Sequence, residues 1–208
     1  MRVGQARHRL GYPDPRGVPQ LRAALADYLA RARGVTADPA NIVICAGFAH
    51  GLAGISRALC MAGARTLAVE AYGHRAHRGI AAGQGLRLRP LPVDGMGAVV
   101  GAAATEADAM LLTPAHQFPL GVTLHPRRRR EATEWGGVVI EDDYDGEFRY
   151  GRQPVGALQT LAPDRVIYAG RPARAWRPAC GSAGWSSRRG CWTRSRPNSP
   201  PGHPRSTS

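Results

Sequence analysis

The apolar positions of this chain follow two periods that alternate through residues 11–170. Short apolar runs at Ile42–Cys45, Thr66–Val69, Arg87–Val93, Ala109–Leu112, Val138–Asp142 and Arg165–Ala169 read as strands. Helical stretches separate them, at about 49–62, 75–83 and 126–135. A further helix opens the series. Its turn-rich entry, Gly11-Tyr12-Pro13-Asp14-Pro15-Arg16-Gly17, leads into Leu21, Leu25, Tyr28, Leu29 and Ala32 at i, i+4, i+7, i+8 and i+11. Those five make one apolar face, and Gly34 supplies a stop. Strands alternating with helices predict an α/β fold, a three-layer and mostly parallel sheet covered on both faces.

The pattern breaks at Gly170. Residues 171–208 carry six prolines and three of the four tryptophans, with neither hydrophobic period. They read as a disordered basic tail after a 1–170 domain, and the missing strand pattern predicts an unpaired sheet edge. Net charge sharpens this boundary. The chain carries +13, of which 171–208 holds +8 (eight Arg, no acid) and 1–170 holds +5 (20 Arg, 15 acids). Excess charge so concentrated does not describe a nucleic-acid-binding surface over the whole chain. A basic nucleic-acid-binding tail is the alternative reading of this segment. The four cysteines show no C-x-x-C spacing, which argues against a zinc or redox motif, and Cys45 and Cys60 sit in apolar, core-like contexts. No apolar run approaches the roughly 20 residues of a membrane helix, and residues 1–10 lack a secretory h-region. The expectation is a cytoplasmic protein with no membrane partner.

Candidate chemistry concentrates where the strand Val138-Val139-Ile140 runs into Glu141-Asp142-Asp143-Tyr144-Asp145-Gly146-Glu147-Phe148-Arg149-Tyr150. Ligands of parallel sheets bind at the carboxyl ends of strands. Asp142 and Tyr144 are two apart, so an extended backbone presents both to one side. A carboxylate there can hold a pyridinium nitrogen protonated, and a phenol can bond a ring hydroxyl oxygen. A solvated acidic loop, or a divalent-metal site made from the close aspartates, fits the same residues. Ala46-Gly47-Phe48-Ala49-His50 follows a strand and opens a helix, where amide N–H groups and the helix dipole suit a phosphate. The Arg127–Arg130 run reads as the exposed face of a crossover helix in preference to a phosphate or DNA patch.

Three segments together, the acidic run, Thr113-Pro114-Ala115-His116-Gln117-Phe118-Pro119-Leu120-Gly121 and Gly11–Gly17, resemble the aminotransferase-like domain of MocR-type regulators of the GntR family. Those proteins join a DNA-binding winged helix to a fold-type-I, class I/II aminotransferase domain, and they are dimeric. The resemblance covers residues 10–170 and implies part of the large domain that binds pyridoxal 5′-phosphate, with an amino-acid-like ligand as a second partner. It implies that Asp142 pairs with the pyridine nitrogen and Tyr144 with the 3-hydroxyl oxygen. The Gly47, Phe48, Ala49 turn receives the phosphate, and His116 and Gln117 lie on the loop facing the ring. Glu70-Ala71-Tyr72-Gly73-His74 falls where the family has E-D-P-x-Y, whose aromatic stacks on the ring, so Tyr72 or His74 takes that part.

The chain departs from the family in three ways. No winged helix precedes residue 10, so no DNA-binding domain is expected, and the small C-terminal domain with its substrate-carboxylate arginine is missing. The third departure is chemical. All 28 basic residues are arginine. The family's Schiff base forms on a lysine amine, which a permanently protonated guanidinium cannot replace. Arg174 occupies the lysine's position, in Arg171-Pro172-Ala173-Arg174-Ala175-Trp176-Arg177-Pro178, where the family has T-x-S-K-x-L-x-P-x-L-R-L-G. The segment Arg171–Arg188 can be encoded so that the same bases, read one position earlier, give T-A-S-K-G-L-A-P-G-L-R-L-G-W-L-V-L-P. Ala173 as GCA and Arg174 as AGG then contain the lysine codon AAG. The expectation is a frame change at Gly170 that puts the lysine motif and its following strand one base out of frame, so that everything after Gly170 reads as out-of-frame translation. The expected function is a pyridoxal-phosphate-binding domain fragment without transaminase activity, its cofactor held noncovalently at best. A fragment of a free-standing aminotransferase is the other enzyme-class reading.

Overall fold

The computed structural model describes residues 14–101, 106–146, 155–170 and, as backbone, 190–193. Helix α1 (Pro19–Arg33) leads to β1 (Ile42–Cys45), α2 (Phe48–Met61), β2 (Thr66–Glu70), α3 (Arg75–Gly83) and β3 (Arg87–Leu91). A small antiparallel pair, β4 (Val93–Asp94) and β5 (Gly97–Ala98), precedes β6 (Ala109–Leu112), α4 (Pro126–Glu134), β7 (Val138–Asp143) and β8 (Val166–Gly170). A last strand, β9, spans Gly190–Thr193.

The main sheet runs in the order β1-β9-β8-β7-β6-β2-β3. Neighbours from β8 through β3 are parallel, while β9 is antiparallel to both β8 and β1. This strand departs from the sequence expectation. Residues 190–193 bridge β1 and β8 with backbone hydrogen bonds, a role that needs an extended segment but no hydrophobic period. The edge predicted to be unpaired is paired there.

Strand pleating sorts the core. Leu67, Val69, Ala109, Leu111, Ile140, Ile167 and Ala169 face α2 and α3, where they meet Phe48, Leu52, Ile55 and Leu59. Ala68, Met110, Leu112, Val139 and Val166 face the other way, toward Leu124 and Ala132 of the α4 segment and Leu158. Helix α1 covers the β1 end of that second face through Leu25, Leu29, Ile42 and Tyr168. Burial on both faces makes β6 and β7 continuous apolar runs in sequence.

The face of α1 is rotated from the predicted one. Arg22 and Arg33 are buried while Ala32 is exposed. Each arginine has a distant acid: Arg22 Nη2 lies 2.9 Å from Asp14 Oδ2, and Arg33 Nε lies 2.7 Å from Asp143 Oδ2. The helix ends as expected at Gly34, whose φ of 71° is open to glycine, with the Val35 amide returning to the Leu29 carbonyl. In α4 the arginine run also departs from expectation. Arg128 is buried and bidentate to Asp94 at 2.5 and 2.7 Å, and Arg129 is buried and donates to the Gly156 carbonyl. Only Arg127 and Arg130 lie exposed.

The Arg33–Asp143 pair is almost fully enclosed, with side chains 5% and 0% exposed. Asp143 also accepts from Tyr168 Oη at 2.6 Å, and burial together with the Asp143 charge pushes the Tyr168 phenol up, so it remains a donor. Arg33→Met takes the Arg33 cation from a buried carboxylate and is expected to cost about 3–5 kcal/mol. Adding Asp143→Leu should recover part of that loss. Urea unfolding of the three proteins checks this, and a loss below about 1 kcal/mol for Arg33→Met would refute it.

Candidate functional site

The three consecutive acids at the end of β7 go to opposite faces. Asp142 has the parity of Ile140 and points to the α2/α3 side, where its carboxylate is buried 4.0 Å from His77 Nδ1. Glu141 and Asp143 point to the other side. Glu141 accepts the Leu158 and Gln159 amides at 2.7 and 3.0 Å, capping the turn Leu158–Leu161, while Asp143 takes Arg33 and Tyr168. Among the described residues no group of His, Cys, Asp or Glu is arranged to hold a metal ion. The acids serve separate partners because a strand cannot turn neighbouring side chains to one point.

A pocket of about 190 Å³ opens beside Asp142. Its wall includes Glu70, His74, His77, Arg78, Thr113, Phe118, Asp142 and Tyr144. The place follows from topology. The chain leaves β2 for β3 on one side and returns to β6 on the other, which opens a crevice at the carboxyl ends of β2 and β6. Glu70 closes its floor. Its buried carboxylate accepts from the Thr113 amide and hydroxyl at 3.2 and 2.6 Å and from Gln117 Nε2 at 3.1 Å. Burial raises this carboxyl, and those donors oppose the rise. Arg78 Nη2 donates to the Glu70 and Ala71 carbonyls and ties the turn after β2 back to α3.

Of the residues anticipated for cofactor binding, Asp142 and Tyr144 line the pocket together. Gly47, Phe48 and Ala49 form the β1–α2 turn outside that wall, joined to it by Phe48, whose ring lies 4.6 Å from His77. Gly47 has φ 121° and, as the N-cap residue of α2, offers no side chain to its first amides, the backbone arrangement that suits an anion. His116 stands behind Tyr144, 3.1 Å from its hydroxyl, and does not line the pocket. Gln117 is buried against Glu70. Tyr72 departs from expectation. It is 56% exposed and outside the pocket wall, because the turn closed by the Gly73 amide on the Glu70 carbonyl throws it outward. His74 occupies the wall, stacked on His77 at 4.7 Å. His77 and Arg78 were missed. The signal was present as i, i+3, i+4 spacing from His74, which gathers three polar side chains on one side of α3. Arg174 and residues 147–154 lie outside the described residues.

The family model for aminotransferase class I and II matches residues 1–158. The chain belongs to that family. Among curated relatives it is 35% identical over 171 residues to the HTH-type pyridoxine biosynthesis transcriptional regulator PdxR of Corynebacterium glutamicum, covering 79% of this chain and 37% of that protein. It is 31% identical over 175 residues to the probable rhizopine catabolism regulatory protein MocR of Rhizobium meliloti, covering 81% and 35%. The chain thus spans about a third of the length of these regulators. Among solved structures, an archaeal alanine:glyoxylate aminotransferase superposes with a TM-score of 0.72 at 25% identity, covering 89% of this chain and 48% of that one. Kynurenine aminotransferase of Pyrococcus horikoshii, solved with PMP, matches with the same score and identity over 88% and 47%. Among the described residues no helix is long and apolar enough to cross a membrane.

Burial lifts the Glu141 carboxyl from 4.5 to about 7. Between those values the folded protein holds a proton that the unfolded chain has released. This group therefore makes stability fall as pH rises from about 4.5 through about 7 and has no further effect above. Glu70 slopes the same way, so a variant difference isolates Glu141. Glu141→Gln is expected to gain relative stability from pH 5 to pH 8 by up to roughly 3 kcal/mol. Chemical denaturation at both pH values measures it, and a pH-independent difference would count against the assignment.

Proposed function

We propose that this chain is the cofactor-binding part of an aminotransferase-like domain of a MocR-type regulator. In this reading it takes pyridoxal 5′-phosphate without a covalent bond and does not transaminate. The carrying observation is the shared wall of Asp142 and Tyr144 in one pocket at the sheet's switch point. Its donor set fits the cofactor: a buried carboxylate for a pyridinium nitrogen, a phenol for a ring hydroxyl, and an uncapped helix start for a phosphate.

Each residue has a stated part. Asp142, 6% exposed, holds a proton on the ring nitrogen, and its burial keeps water from competing. Tyr144 bonds the ring oxygen. The α2 amides and the freedom of Gly47 at φ 121° receive the phosphate. His74 takes the stacking place on the pocket wall, and the Glu70 network fixes the floor. The bound cofactor would supply a pyridine ring able to accept electrons from an amino-acid-like ligand. What this chain lacks is the amine: it contains no lysine to attach the cofactor or to move a proton at the substrate carbon.

The frame change belongs to the same reading. It accounts for the acid-free segment after Gly170 and for Arg174 at the lysine's position. Equilibrium dialysis with pyridoxal 5′-phosphate should show saturable binding, weakened about tenfold or more by Asp142→Asn. Borohydride treatment followed by peptide mapping should find no adduct on an internal residue. A gene with one base restored before codon 171 should gain such an adduct at position 174. An internal adduct in the unaltered chain, or a restored gene without one, would defeat the reading.

A further inference from the structure

We propose that Asp145 and His116 form a positioning pair that fixes the phenolic proton of Tyr144, so that Tyr144 enters the pocket as a hydrogen-bond donor. The inference deepens the cofactor reading and rests on it for the ligand's identity. Three side chains meet at one nitrogen. Asp145 Oδ2 lies 2.6 Å from His116 Nδ1, and Tyr144 Oη lies 3.1 Å from the same atom. An ionised carboxylate only accepts hydrogen bonds. Two acceptors facing each other at that separation would repel, so Nδ1 carries a hydrogen and donates it to Asp145.

The consequence falls on Tyr144. An Nδ1 that carries hydrogen has no lone pair to receive the phenol's proton, so the Tyr144 oxygen shares that N–H as an acceptor. Its own O–H must then turn away from the imidazole. The phenol has little rotational freedom. Its ring lies 19° from the His116 plane with centroids 6.0 Å apart, and Phe118 meets it edge-on at 6.1 Å. A phenolic hydrogen prefers the ring plane, which leaves one direction once the histidine side is closed. Tyr144 lines the pocket whereas His116 does not. The arrangement suits a ligand that presents an anionic oxygen, such as the 3-oxide of a hydroxypyridine. Asp145 and His116 touch no ligand and act through Tyr144.

A purely structural role, tying the loop after β6 to the end of β7, would use the same bonds, so the test separates the two. The probe is 4-deoxypyridoxine 5′-phosphate, which has the 3-hydroxyl but no aldehyde to react with any amine. Asp145→Asn should present an amide N–H to Nδ1, shift the histidine's hydrogen to Nε2 and draw the Tyr144 proton toward His116. Probe affinity is then expected to fall about tenfold in Asp145→Asn. It should fall no further when Asp145→Asn is added to Tyr144→Phe. Nitrogen-15 shifts of His116 should report Nδ1–H in the unaltered protein, a measurement independent of any variant's folding. An unprotonated Nδ1, or equal losses in the Tyr144 and Tyr144→Phe backgrounds, would overturn the proposal. Failure of the unaltered protein to bind the probe would overturn the cofactor reading and the ligand part of this one, while the nitrogen shifts would still decide the pairing itself.

Discussion

The site depends on the pleat at the carboxyl end of β7. Three acids in sequence cannot share one environment there, because alternate residues of a strand point to opposite faces. Asp142 is delivered to the pocket, while Glu141 and Asp143 are driven into the protein's other half. Burying two carboxylates is costly unless each is hydrogen-bonded or paired. The fold meets that cost with a capped turn at Leu158–Leu161 and with an arginine from α1, more than a hundred residues away. Those contacts lock the strand end, and the strand end is what aims Asp142. The aim of the pocket carboxylate thus depends on bonds made on the opposite face of the strand.

A second constraint is the order of the strands. Because β3 and β6 flank β2, the loops after β2 and β6 diverge and leave a crevice. Left open, it would be shapeless. Glu70 crosses it from the end of β2 to Thr113 and Gln117, and Arg78 pins the turn that follows β2. These bonds turn the crevice into a wall with fixed polar groups.

Much of this was legible in the sequence, for reasons that also explain the misses. Strands buried on both faces announce themselves as apolar runs, so β2, β6 and β7 fall within a residue of their predicted spans. The spacing of Asp142 and Tyr144 put both on one side of the strand end, and the structure places both on the pocket wall. The burial of Arg22, Arg33, Arg128 and Arg129 was not legible. A periodicity reading counts arginine as surface, whereas each is buried against a partner on another segment: Asp14 just upstream of α1, and Asp143, Asp94 and the Gly156 carbonyl far off in sequence. That His74 lines the pocket while Tyr72 is exposed depends on the turn closed by the Gly73 amide on the Glu70 carbonyl, which the motif does not encode.

The last strand separates the two ends of the site physically. Every residue of the pocket wall lies between Val69 and Tyr144, and the strands that contribute to it, β2, β6 and β7, have parallel neighbours. The β1–α2 turn is different. β1 reaches the sheet laterally through β9, whose register pairs Ile42 with Thr193 and Cys45 with Gly190. Main-chain hydrogen bonds ask little of side-chain identity, so a segment beyond the proposed frame change can still fill the gap between β1 and β8. It cannot supply the covalent amine, which requires one particular side chain. A change of frame at that point therefore acts unequally on one site. In the proposed reading the pocket wall keeps its own sheet neighbours, the β1–α2 turn joins the sheet through β9, and the chain has no lysine to serve as a covalent anchor.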